Sequence, residues 1–238
     1  AAELFEAVKP HADADVITIA TGGTTTTFTG DVTMTGTTPT LTIGDAGAED
    51  AAIVFDGNAQ DFHIGLDDTA DSLVLGLGSA LGTTAHIVID ETGAVTKPLQ
   101  PCVIAKSDGN KSNVTGGGTE YTTLYATEII DRNADFDGTT FTAPVTGVYR
   151  VSGYVYCFNI TSAEDDWELD IISSNRRHDG GGGLFKTMDV SPTELATSYS
   201  MLLDMDASDT ATVTIEMSGG TDVVEYASNS AISYELVA

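Results

Sequence analysis

Apolar residues in this chain recur at every second position, in short runs separated by turn residues. From residue 16 to 95 the runs are Val16-Ile-Thr-Ile19, Val32-Thr-Met34, Leu41-Thr-Ile43, Ile53-Val-Phe55, Phe62-His-Ile-Gly-Leu66, Leu73-Val-Leu-Gly-Leu77 and Ile87-Val-Ile89. Several are followed or preceded by Asp56-Gly57, Gly44-Asp45 or Asp67-Asp68, which punctuate short strands. The spacing predicts a loosely repeated strand–turn unit without a fixed period. Ahead of it, Leu4, Phe5 and Val8 fall on one side of a helix-like turn that Pro10 ends, so residues 1–15 read either as an anchor that docks into something else or as a frayed terminus.

Beyond Lys97-Pro98 the texture changes. Aromatic residues, Pro and Arg appear, whereas Lys9 is the only basic residue before that point. The strands lengthen: 102–105, 122–130, 140–143, 147–156, 167–172, 197–205, 211–217 and 231–237, with no helix of ordinary length competing. That number of strands with loop signals between them predicts a two-sheet jelly roll over residues 97–238. The strands of 16–96 each expose one apolar row, and about 80 such residues cannot bury enough surface to offset the entropy of ordering. Three copies wound around a common axis would cover those rows; a small monomeric sandwich is the alternative, with little aromatic content to build on. The expected fold is all-β, with a trimeric β-rich shaft at 16–96 preceding the jelly roll.

Charge removes some functions. The 238 residues contain 36 acids against 9 Lys and Arg, a formal net charge of −27. Nucleic-acid binding draws most of its affinity from cationic side chains, so neither nucleic acid nor an anionic membrane surface is an expected partner. Such a balance suits salty water, where a Debye length of about 3 Å at 1 M screens carboxylate repulsion. No run approaches the ~20 apolar residues of a membrane span, and the N-terminus lacks a signal-peptide pattern. Cys102 and Cys157 lie in apolar strand-like runs, where buried free thiols are expected over a disulfide.

Few groupings suggest chemistry. Asn133, Asp135 and Asp137, followed by Gly138, offer the oxygens and turn glycine of a calcium loop, without the acidic residue expected at its far end; a solvated turn is the competing reading. Asp204, Asp206 and Asp209 form a second acidic loop. Arg176, Arg177 and His178 are the one compact basic group and adjoin Gly180 to Gly183, which reads as a flexible loop able to clamp an acidic sugar or phosphate, or to neutralise acids on a neighbouring subunit. Trp167 could stack on a sugar ring, but Trp167, Leu169 and Ile171 alternate as a core face would. Four scattered histidines, and the lack of a nucleophile elbow or phosphate-binding glycine loop, predict no catalysis and no cofactor, calcium apart.

The stretch from Asp131 to Val151 contains Phe141, Ala143-Pro144, Gly147 and Tyr149, continued by Tyr154 and Tyr156, and resembles the central signature of the C1q/TNF-like jelly-roll superfamily. Ser230-Ala-Ile-Ser-Tyr-Glu-Leu-Val237 resembles its closing strand. Val151 stands where the family has Phe, and Phe136 lies closer to Phe141 than the family's spacing. Residues 44–96 resemble segments of tail-fibre and related virion proteins of tailed phages. Together these resemblances imply a homotrimer and a virion structural protein on the outer surface of capsid or tail: a head fibre or capsid decoration bound through its N-terminus to the major capsid or another virion protein, with a head that touches host glycans. A tail fibre that binds a receptor, a polysaccharide-cleaving tailspike and a secreted cellular C1q-like binding module are the alternatives.

Overall fold

The computed structural model describes residues 28–44, 46–185 and 193–238. The chain clusters into two compact units, 1–43 and 44–238. The segments expected as an anchor (Leu4, Phe5, Val8) and as a first strand (Val16 to Ile19) lie outside the described residues.

In the first unit, residues 28–43 form no strand, which corrects the expectation for 32–34 and 41–43. Phe28, Val32, Met34, Leu41 and Ile43 are all exposed. Two apolar residues flanking a Thr give a strand too little to pair with or pack on, and period-two alternation alone does not supply a partner.

The second unit opens with a five-stranded antiparallel meander: β1 (Ala51–Phe55), β2 (Phe62–Asp67), β3 (Ser72–Leu77), β4 (Ala85–Ile89) and β5 (Val95–Thr96). Its turns are tied by carboxylates. Asp90 accepts hydrogen bonds from the backbone of Thr92 and Ala94 and from the Thr92 hydroxyl, which holds its pKa below the usual carboxylate range. Asp67 accepts from the backbone of Ala70.

From Cys102 on, two sheets face each other. The first contains β6 (Cys102–Lys106), β7 (Lys111–Thr115), β9 (Thr127–Asp131), β11 (Gly147–Phe158), β14 (Glu194–Met205), β16 (Val224–Tyr226) and β17 (Ala231–Leu236). The second contains β8 (Thr119–Thr122), β10 (Thr140–Thr142), β12 (Asp166–Ser173), β13 (Arg177–Leu184) and β15 (Thr210–Ser218). The principal strands run β6-β17-β11-β14 in one sheet and β10-β15-β12-β13 in the other. Of the connections between these strands only β12–β13 stays within its sheet; the others cross over, and the first strand pairs with the last. This is a jelly roll.

Of the resemblance residues, Phe141, Ala143 and Tyr149 go inward, while Pro144 is exposed and Tyr154 and Tyr156 lie on the outward side of β11. Phe141 stacks on Tyr234 with ring centroids 4.5 Å apart, and Tyr149 lies 5.2 Å from Phe141. The Tyr149 hydroxyl donates to the Val145 carbonyl at 2.7 Å, clamping the turn between β10 and β11. A Cβ on Gly147 would meet Leu236 Cδ1 at 2.6 Å and the Ala238 carbonyl oxygen at 2.7 Å, so the glycine ahead of Val148-Tyr149 admits the C-terminal strand. Phe136 bridges to Phe141 and packs on Tyr234.

Two further expectations change. Residues 122–130 do not form one strand: β8 and β9 belong to different sheets, and the four residues between them carry the chain across. The Gly180 to Gly183 stretch is not a flexible loop but half of β13, paired with β12. The physical reason lies across the ladder, where Trp167 lies against it. A Cβ on Gly181 would stand 3.2 Å from Trp167 Cη2, and one on Gly183 3.2 Å from Trp167 Nε1. The glycines leave space that the indole occupies.

Candidate self-association surfaces

The two outer faces of the jelly roll differ in chemistry. On the first sheet, alternate residues of the central strand β11 point inward (Tyr149, Val151, Val155, Cys157, all buried), and the others point out. The outward set ends in an aromatic ladder: the Tyr154 and Tyr156 rings stack 6.5 Å apart, and Tyr156 and Phe158 6.4 Å apart. Around the two tyrosines its cross-strand neighbours are small, Ser198 and Ala231 flanking Tyr154 and Ala196 beside Tyr156, whereas Glu194 and Glu225 flank Phe158. The two tyrosines therefore stand above their surroundings. Beside it, Ser152 and Ser233 share a hydrogen bond of 2.9 Å, and Arg150 pairs with Glu235 at 2.9 Å. Glu194, next to Tyr156, raises the phenol's pKa.

The outer face of the second sheet is acidic. Glu120, Glu216 and Glu168 lie directly opposite one another across β8, β15 and β12. Like charges at opposed positions repel. Desolvation first, then the neighbouring Glu168 and Glu120 carboxylates, raise the Glu216 pKa, with Arg177 opposing.

Arg177 answers part of this charge. Its Nε donates to Asp170 at 2.7 Å, and its terminal nitrogen reaches Glu120 at 3.0 Å; these bonds raise its own pKa. Arg176 pairs with Asp204 at 2.5 Å. Both arginines are thus engaged by acids of their own chain. His178, the third member of that group, lies opposite Ile171 with its Nε2 buried and unpartnered. Trp167 is half-buried against the core, its Nε1 likewise buried without a hydrogen-bond partner.

The candidate calcium residues begin within a turn in which Asn133 and Ala134 adopt positive φ. Asp137 Oδ1 accepts hydrogen bonds from the Thr139 and Thr140 backbone and the Thr139 hydroxyl, which lower its pKa against the opposing effect of burial. Asp135 is buried with its Oδ2 unpartnered, and burial raises its pKa. The Asn133 amide donates to the Leu99 carbonyl. Among the described residues no group of three or more His, Cys, Asp or Glu side chains is arranged to hold a metal ion. In the second acidic loop Asp209 accepts from the Asp206 backbone and the Asn175 amide. Cys102 and Cys157 are free thiols. They face opposite sides of their sheet, two strands apart, and burial pushes the Cys157 thiol up to about 12.

The meander carries the surface that side-chain counting by strand does not bring out. Pairing places Ile53, Ile64, Leu75 and Ile87 in one row, Phe55, Phe62 and Leu77 in a second, and Ala51, Leu66, Leu73, Ile89 and Val95 in a third, all on one face. The one polar side chain among the described residues of these rows is His86, at the irregularity between β3 and β4, whose ring meets the Phe62 ring edge-on at 6.1 Å. The opposite face holds the buried His63, Ser72 and Val74, and Leu81 comes within contact of Gly65 there. His63 Nδ1 lies 2.8 Å from the Gly78 carbonyl.

No family model matches the sequence, and no curated protein does. Among solved structures, the chain is similar to the globular domain of zebrafish complement 1qA protein, at 13% identity over 58% of this chain and 98% of that one, with a TM-score of 0.42. It is similar to murine APRIL at pH 8.5, at 10% identity over 58% of this chain and 99% of that one, with a TM-score of 0.39. The jelly-roll assignment rests on the strand order and register given above.

Proposed function

We propose that this chain is the protomer of a non-catalytic homotrimeric adhesion module, a fibre or decoration on the outside of a virus particle whose jelly-roll heads bind a host surface. The observation that carries the self-association is the contrast between the two outer faces of the jelly roll. One presents stacked aromatics, with small residues beside Tyr154 and Tyr156 and acids only at its Phe158 and Val148 ends; the other presents directly opposed glutamates that must stay in water. Burying the first face against other copies gains apolar contact, whereas burying the second would desolvate several carboxylates at several kcal/mol each. The threefold number comes from the resemblance around Phe141 and Tyr149.

The acidic face then looks outward, and host contact works through avidity: several weak contacts act together without a deep pocket. Placement on a virion rests on the resemblance of residues 44–96 to fibre segments, and on an acidic balance that disfavours nucleic acid and anionic membranes. Light scattering of the purified chain in high salt tests the assembly. A mass three times the 24.7 kDa of one chain is expected, and a stable monomer would remove the proposal. Immunogold labelling of purified particles tests the placement: label on capsid or tail is expected, and label confined to a cell's secreted material would favour a cellular C1q-like module instead.

A further inference from the structure

We propose that the apolar face of the meander is a second self-association surface, packed in the assembled protein against the same face of other copies of this chain. This rests on the reading of the jelly roll as a self-associating head. Ile53, Phe55, Phe62, Leu66, Leu73 and Val95 on this face are between 40% and 61% exposed in the single chain. Single exposed apolar residues are ordinary, but a contiguous sheet face of them marks a surface that is covered in the working molecule.

The size of the face decides what covers it. Five strands at about 4.8 Å spacing, with about five residues each, give a patch of about 20 by 15 Å. A stable interface removes about 800 Å² per partner, and this patch supplies well under that. It cannot capture a freely diffusing partner by itself. It needs neighbours already held close, and copies joined through their heads are such neighbours. Residues 97–101 are fastened to the jelly roll: Arg132 donates to the Lys97 carbonyl, Leu236 donates to the Pro101 carbonyl, and the Gln100 amide donates to the Leu236 carbonyl. The meander begins directly beyond, at Thr96, so joined heads hold their meanders at the high effective concentration of a short tether.

Charge argues against other occupants. From residue 10 to 96 the chain has no Lys or Arg, while Asp56, Asp61, Asp68 and Asp90 lie in the turns around the sheet and Asp67 at the end of β2. An anionic bilayer would be repelled by that rim, and a basic partner would be drawn to the rim and not to the uncharged rows. A flat, uncharged sheet face is matched by the same face of other copies, three of which can close around a common axis with their apolar rows inward.

The test uses the full chain carrying Cys102→Ser and Ile64→Cys, with pyrene on the new thiol; Cys157 is fully buried and stays unlabelled. Excimer emission that rises with the light-scattering mass is expected, and a label at Glu168→Cys on the acidic face should show monomer emission only. A chain that assembles without excimer overturns the inference while leaving the head reading in place, and so does a dye that is buried without excimer, which would mean that something other than the same face of another copy covers it. A chain that stays monomeric removes both. A second variant, Leu75→Asp, is expected to raise the dissociation constant about tenfold or more with an unchanged circular dichroism spectrum. An unaltered constant would also overturn the inference.

Discussion

Trp167 and the glycines opposite it show how one side chain sets the chemistry of its neighbours. Because the indole occupies the space where Gly181 and Gly183 would carry Cβ atoms, a Gly181→Val substitution forces the ring or the strand to move. A loss of about 1–3 kcal/mol is expected from such overpacking, read by urea denaturation with the single tryptophan's emission as reporter. The buried tyrosines give a second expectation. Tyr125 and Tyr199 share a hydrogen bond of 3.1 Å, and burial lifts both, with Tyr226 and Tyr234, above the ordinary phenol range. An unfolded tyrosine loses its proton near 10, so above that pH the unfolded state binds fewer protons than the native one, and stability falls. The contribution is fully present below about pH 10 and is lost as pH rises towards the native values. Urea midpoints should be level through neutral pH and drop steeply above about 10, and Tyr199→Phe should cost about 1 kcal/mol by breaking the pair.

At the scale of elements, the sheets are largely legible because the apolar residues of their strands alternate: β11, β12, β14, β15 and β17 turn alternate apolar side chains to the core, Tyr149, Leu169 and Ile171 among them. What alternation could not supply was pairing. It marked 32–34 and 41–43 as strands though nothing pairs with them, and it passed over β13, whose Gly180 to Gly183 carry no pattern and become a strand only because Trp167 lies against them. The candidate surfaces were hidden for the same reason. The glutamates of β8, β15 and β12 are far apart in sequence, and only register sets Glu120, Glu216 and Glu168 in line. Because the Glu216 pKa is raised, that row favours the folded state below the ordinary glutamate range and loses the advantage as pH rises through it. Glu216→Gln should therefore stabilise the neutral protein by about 0.2–1 kcal/mol in low salt, with the gain vanishing in molar salt. Arg177→Met should do the opposite, since it strands the buried Asp170; a loss of about 1–3 kcal/mol is expected in the same denaturation assay.

For the whole molecule, charge and topology pull in different directions. A chain of net charge −27 that assembles with itself concentrates negative charge, so low ionic strength without divalent ions should loosen the assembly; sedimentation before and after dialysis into such a buffer reads this, and an unchanged coefficient counts against it. The pairing of β6 with β17 has a further consequence, which concerns time. The meander's strands meet only their neighbours in sequence, while the first strand of the jelly roll waits for the last. Local pairings close quickly and distant ones slowly, because loop entropy is lost before contacts repay it. During synthesis the meander can form while residues 231–236 are still inside the ribosome, and its apolar rows then stand bare beside an unfinished head. The interval between those two events is when this chain is most exposed to aggregation, and slower elongation past residue 96 would lengthen it.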